Sequence, residues 1–312
     1  MGGDRQSGGL GALRPNLTKP EFVLEFLLGV APPEGFTMVQ PIEQFASEIS
    51  VRPPATTPDL SSLIDRWIYV FMAALLIVVT LLGFVPDSIM KVGMVEAGQR
   101  LPFPLVLHLH AIAMGSWLLL LLAQTSLMAS GRREGHKQLG MIALVLAPAV
   151  VAIGIVLAPT MYRQLWGAVH AGPGTLDPAG LADVAIRGNI ALIQIQVGIV
   201  FAVTVALAFR ARKRDFPTHK RLMVLAPIVA MPASVDRITW LPSTMPVSPW
   251  SPEIYILLLA LPLFAWDFYR SGRIQQAYKI WLALVLPSGA LVLAMWNTQW
   301  WQAFVPRLMG VE

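Results

Sequence analysis

His110, Gln196, Arg237 and Asn297 stand out because each is a polar group set inside or at the end of a long apolar run. A polar side chain placed in a lipid-exposed segment is costly, so each marks a functional site by default. An imidazole, a carboxamide and a guanidinium together can hold the polar head of a small molecule, and Arg237 can clamp an anionic or carbonyl group. The four are the candidate ligand-binding residues of a small-molecule or quinone-type pocket. His110, Trp117 and Gln124 recur at steps of seven and share one helix face. His108, two residues earlier, is turned about 200° away from that face. Arg237 also has a structural reading, as the ion-pair partner of Asp236 or Asp183. Neighbouring residues on a helix do not face each other, so a partner elsewhere in the chain fits better.

His136 and His219 form a second candidate set. Both open an apolar helix, and two imidazoles on facing helices are the ligand pair that holds a haem b iron. Charges flank both, with Glu134 and Lys137 beside one and Asp215, Lys220 and Arg221 beside the other. That places them at a membrane interface, where helix-start histidines bind backbone or lipid phosphate. Twenty-six residues before His136 lies His110. The same step from His219 reaches Ile193, beside Gln194 and near Gln196, so a second haem level would meet glutamine where it needs imidazole.

The elements that carry these residues are membrane spans. Of 312 residues, 55% are hydrophobic and only 13% charged, about half the charged fraction of a soluble domain. Seven apolar segments are long enough to cross a hydrocarbon core of ~30 Å as helix. They run over 66–86, 103–129, 138–159, 189–209, 221–241, 253–270 and 278–301. Internal prolines at 148, 227, 232, 262 and 287 are tolerated in such helices, and Pro227 with Pro232 predicts a kink in the fifth. The predicted fold is an all-α integral membrane protein of about seven transmembrane helices.

Loop charge orients the bundle. Arg132, Arg133 and Lys137, then Arg210 to Arg221, then Arg270 to Lys279 fill one set of loops. Short basic loops stay in the cytoplasm, so the N-terminus is expected inside a bacterial inner membrane and the C-terminus outside. Trp296, Trp300 and Trp301 then fall at the outer interface. Residues 1–64, rich in glycine, proline and small polar groups, read as a cytoplasmic leader, disordered or interfacial, with Met38 as an alternative start. The net charge of +5 sits in topology-setting loops and carries no nucleic-acid signal. The absence of cysteine excludes disulfides, thiolate metal sites and cysteine nucleophiles. No P-loop, HExxH or GxSxG signature supports ATP-driven transport or conventional hydrolysis.

An internal repeat organises the middle of the chain. SGRREGHKQLG follows the second span and FRARKRDFPTHKRLM follows the fourth. Two hairpins, each with His-Lys-x-Leu opening its second helix, predict a four-helix core of helices two to five.

The combination His110, Trp117, Gln124, Thr125, His136, Leu139, Gly140, His219, Leu222, Met223 and Arg237 resembles a family of bacterial multi-pass membrane proteins of unassigned activity. More distantly, the paired helix starts resemble those of transmembrane b-type di-haem cytochromes. The first resemblance implies a multi-pass bundle without a defined reaction. The second implies membrane electron transfer with haem b held by His136 and His219. Three functional readings follow: a small-molecule or quinone-type pocket in the outer half, a b-type haem electron-transfer protein, and a transporter or structural subunit whose polar residues join helices. The lipid bilayer is the partner common to all three.

Overall fold

The computed structural model describes residues 59–171 and 177–312. The expected leader, 1–64, falls almost wholly outside these residues. The described part is all-α and contains no strand. Its helices are α1 (Leu60–Glu96), α2 (Leu105–Ala129), α3 (Arg133–His170), α4 (Pro178–Ala211), α5 (Phe216–Ile228), α6 (Pro232–Val235), α7 (Trp250–Ser271), α8 (Gln276–Met295) and α9 (Gln299–Met309). Among them, α1, α2, α3, α4, α7 and α8 are long and apolar enough to cross a membrane individually.

The segment predicted as the fifth span is present but broken. The α5 helix has 13 residues, ends after Pro227, and gives way to a turn and the single helical turn α6 that begins at Pro232. Each proline removes one backbone N–H, and the ring clashes with the preceding turn. This broken piece is nevertheless the centre of the molecule: Leu222, Leu225, Ala226 and Ile228 are fully buried. Such irregular backbone is tolerated at membrane depth only where protein encloses it. The α5–α6 stretch also carries the chain from one end of the bundle to the other. His219 near its start binds Ala208 at the end of α4, and Arg237 beyond α6 reaches Asp87 near the end of α1.

Packing follows the duplicated-hairpin reading. The helices α2, α3, α4 and α5 pack each on the next, and α5 returns against α2. The ring is filled by Trp117, Leu121, Val200, Phe201, Val205 and Ala208, with Trp117 and Phe201 edge to face at 5.2 Å between centroids. The α7 helix packs on α5 and α6, and α8 on α4 and α5. Outward faces carry bare apolar side chains, among them Leu119, Val145, Ile155 and Leu291. Where α1 crosses α6, Gly83 lies directly against the backbone of Ser234.

The last predicted span, 278–301, is shorter than expected. Asn297 takes a left-handed conformation (φ 58°), which stops α8 and redirects the chain into α9. The Thr298 hydroxyl accepts from the Trp301 N–H at 3.2 Å and caps the new helix. Trp301 and Val305 then seal a second apolar cluster with Tyr162 and Val184.

Capping fixes the break between α4 and α5. The Asp215 carboxylate accepts from the Thr218 N–H at 3.1 Å, with Pro217 in the first turn. Hydrogen bonds from Thr218 hold the Asp215 carboxyl below the usual carboxylate range. A depressed folded value means its stabilisation is complete above the unfolded value and vanishes as pH falls through the folded one. The gap in Tm between wild type and Asp215→Ala is therefore expected to be widest near neutral pH and to close as the pH is lowered through about 4. Thermal unfolding of the two proteins across that range checks it; a gap independent of pH would remove the carboxylate's role.

Candidate functional site

Polar side chains gather at two levels of the bundle. At the end bearing the basic loops, Arg221 of α5 lies side by side with Asp267 of α7. Its Nε and NH2 donate to Asp267 Oδ2 and Oδ1, both at 2.7 Å, and its NH1 donates to the Pro217 carbonyl at 2.9 Å. The Tyr278 hydroxyl of α8 adds a bond to Asp267 Oδ2 at 2.5 Å. This bidentate, three-helix clamp is buried. The Lys220 ammonium sits 4.6 Å from the ring centre of Tyr69, tying α1 to the same end.

His136 and His219 lie at this level, and each is the fourth residue of its helix. They come within electrostatic reach of one another. His219 is buried, deeper than its charged neighbours in sequence suggest, and its Nδ1 donates to the Ala208 carbonyl at 2.8 Å. That bond leaves Nε2 with a free lone pair, the arrangement a metal-ligating imidazole takes. His136 is anchored the other way round: its ring bonds the Gln124 backbone, and its buried Nδ1 has no partner. The Gln124 carboxamide, packed over Gly140, is also unpaired at both ends. Only His219 thus keeps Nε2 free for a haem iron, and at His136 the unpaired nitrogen is Nδ1.

The opposite level holds the four residues expected to form a pocket, and they take separate partners. His110 packs its Cε1 towards Gly154 of α3, with Nδ1 buried and unpartnered. Asn297 exchanges two hydrogen bonds with Asn189, which also accepts from Gln302 at 2.8 Å, so these residues lock α4, α8 and α9 together. Arg237 pairs with Asp87 of α1 at 3.0 Å, donates to the Ala233 carbonyl and lies over the Phe84 ring. Its partner is neither Asp236, which accepts from Ser243, nor Asp183. Among the described residues, no hydrogen bond or ion pair joins any two of His110, Gln196, Arg237 and Asn297.

Gln196 meets a group that sequence reasoning missed. Its Nε2 donates to Glu253 Oε2 at 3.2 Å and lies 3.4 Å from Ser288 Oγ. Glu253 belongs to the first turn of α7, where the sequence read only the start of a span. It is 8% exposed, and among the described residues no cation pairs with it and its buried Oε1 has no partner. Gly289 of α8 makes the space: a Cβ there would lie 2.7 Å from Glu253 Oε2 and 3.5 Å from Gln196 Nε2. Gln196 stands fourteen residues before Arg210, about 21 Å along α4 from the basic end. The pair therefore lies past the middle of a ~30 Å core.

A bundle of long apolar helices, lipophilic outside and polar at two internal levels, defines a multi-pass helical membrane protein. Comparison with protein-family models, with curated proteins and with solved structures gives no match.

Proposed function

We propose that the chain is a protein of a bacterial inner membrane, basic loops in the cytoplasm and C-terminus outside, whose outer half binds a small lipophilic molecule with a carbonyl head, of quinone type. The short connections rich in Arg and Lys support the orientation. One observation carries the binding reading: the buried Glu253 Oε1 beside Gln196, with no partner of its own. A buried polar atom without a partner costs about 1–3 kcal/mol, so a ligand oxygen that completes its bonding is held strongly. The acid form of Glu253 donates to a carbonyl from Oε1, and Gln196 fixes the other carboxyl oxygen. Gly289 gives the carboxylate room against α8, and the surrounding apolar helices suit a ring or chain.

The test is quenching of tryptophan fluorescence in the detergent-purified protein by a short-chain quinone. Wild type is expected to bind saturably, and Glu253→Leu at least about tenfold more weakly, the equivalent of one hydrogen bond. Glu253→Gln, which keeps a donor in place, is expected to retain most of the affinity. No saturable binding to wild type, or equal affinity in a folded Glu253→Leu protein, would sink the reading.

A further inference from the structure

A second unsatisfied group at the same end of the bundle carries an independent conclusion. Arg187 lies three turns into α4, and its Nε is buried with no hydrogen-bond partner. Among the described residues no carboxylate forms an ion pair with it. Asp183, one turn earlier, is exposed at the helix start. Arg187 lies within electrostatic reach of Asp183, without forming an ion pair, and of two other guanidiniums, Arg100 in the α1–α2 connection and Arg237 beyond α6. Lys91 near the end of α1 interacts with the same two.

The charges do not balance. Asp87 already serves two of these cations, accepting from Lys91 at 2.7 Å and from Arg237 at 3.0 Å. Arg100 rests its guanidinium 5.5 Å from the Phe103 ring centre and pairs with no carboxylate among the described residues. Four cations thus lie within electrostatic reach at this end, against two carboxylates: Asp87, shared between Lys91 and Arg237, and Asp183, near Arg187 but in no ion pair. Like charges gathered at a partly buried end of the bundle repel, and a guanidinium with a buried, unpaired N–H adds the cost of an unmade bond. Both penalties disappear if an anion sits among them. Guanidiniums suit an oxyanion best, because their forked N–H groups match two oxygens at once.

We propose that Arg187, Arg100 and Arg237, with Lys91, form a binding site for a phosphate or carboxylate group at the end of the bundle away from the basic loops. The group arrives as a free anion or as the headgroup of an anionic lipid. The site is separate from the Glu253 pair, which has no cation partner among the described residues.

The full chain in nanodiscs tests this through its Tm. In discs of phosphatidylcholine, inorganic phosphate is compared with sodium chloride at equal ionic strength, so that screening alone cancels. In a second arm, phosphatidylglycerol replaces part of the phosphatidylcholine without added phosphate. A rise of about 5 °C at a hundredfold excess over Kd is expected in at least one arm. A rise with phosphate identifies a free anion, and a rise with phosphatidylglycerol alone identifies a lipid headgroup. Arg187→Gln is expected to abolish the rise, and Arg100→Gln, in a connection rather than a helix, gives the same readout if the first variant fails to fold. No rise in either arm for wild type, or an undiminished rise in a folded variant, overturns the site.

Discussion

Replacing Asp267 by alanine is expected to lower stability by about 3–5 kcal/mol, because it strands the Arg221 guanidinium in the bundle. Arg221 and Asp267 expose only about a tenth of their side chains, and the carboxylate joins α5, α7 and α8 through two guanidinium bonds and the Tyr278 hydroxyl. Alanine removes all three acceptor contacts and leaves a charge that water cannot reach. Asp267→Asn keeps the shape but not the charge and is expected to fall between. The double variant Arg221→Met/Asp267→Leu removes both charges together and is expected to recover most of the loss, since exchanging a buried ion pair for apolar groups is often neutral. Urea unfolding in mixed micelles distinguishes these outcomes. Equal stability of Asp267→Ala and wild type would mean the clamp contributes nothing.

Gly83→Ala is expected to cost a further large amount, about 1–3 kcal/mol or more, by forcing α1 off α6. A Cβ at this position would collide with the Ser234 carbonyl oxygen and come within 2.8 Å of its carbonyl carbon. The obstacle is backbone, so no side-chain rotation relieves it. Gly93, on the same helix with open space around its Cα, is the control. There alanine is expected to be neutral or slightly stabilising, because it restricts the unfolded chain and favours helix. A parallel shift in Tm for both variants would show that helix propensity, and not the crossing, sets the response.

The sequence made the bundle legible where apolar length alone decides the structure. The expected spans 103–129 and 253–270 lie within a few residues of α2 and α7, and the repeated His-Lys-x-Leu starts mark equivalent positions in α3 and α5. The Pro227–Pro232 kink was legible too, although two prolines five residues apart divide the helix instead of bending it. Partners were not legible. Arg237 finds Asp87, 150 residues away, because α1 continues past Pro86 and carries that carboxylate alongside. The sequence reading stopped the first span at residue 86, where hydropathy falls. Glu253 was hidden for the mirror-image reason. A carboxylate at the edge of an apolar run looks like the end of the membrane, and only the packing of α4 and α8 against α7 shows it enclosed. Arg221 was likewise read as an interfacial charge, since its partner Asp267 lies 46 residues on, at the far end of α7.

The broken fifth element has a consequence for how the protein is made. A helix of 13 residues that begins among Lys220 and Arg221 and ends at paired prolines is too short and too polar to partition into lipid when it leaves the ribosome by itself. Its most buried residues, Leu222, Leu225 and Ile228, have nothing to bury against until α4 on one side and α7 and α8 on the other are already in the bilayer. The centre of the finished molecule is thus among the last parts to settle. Biogenesis must hold this segment at the surface, or in the insertion machinery, until later helices draw it in.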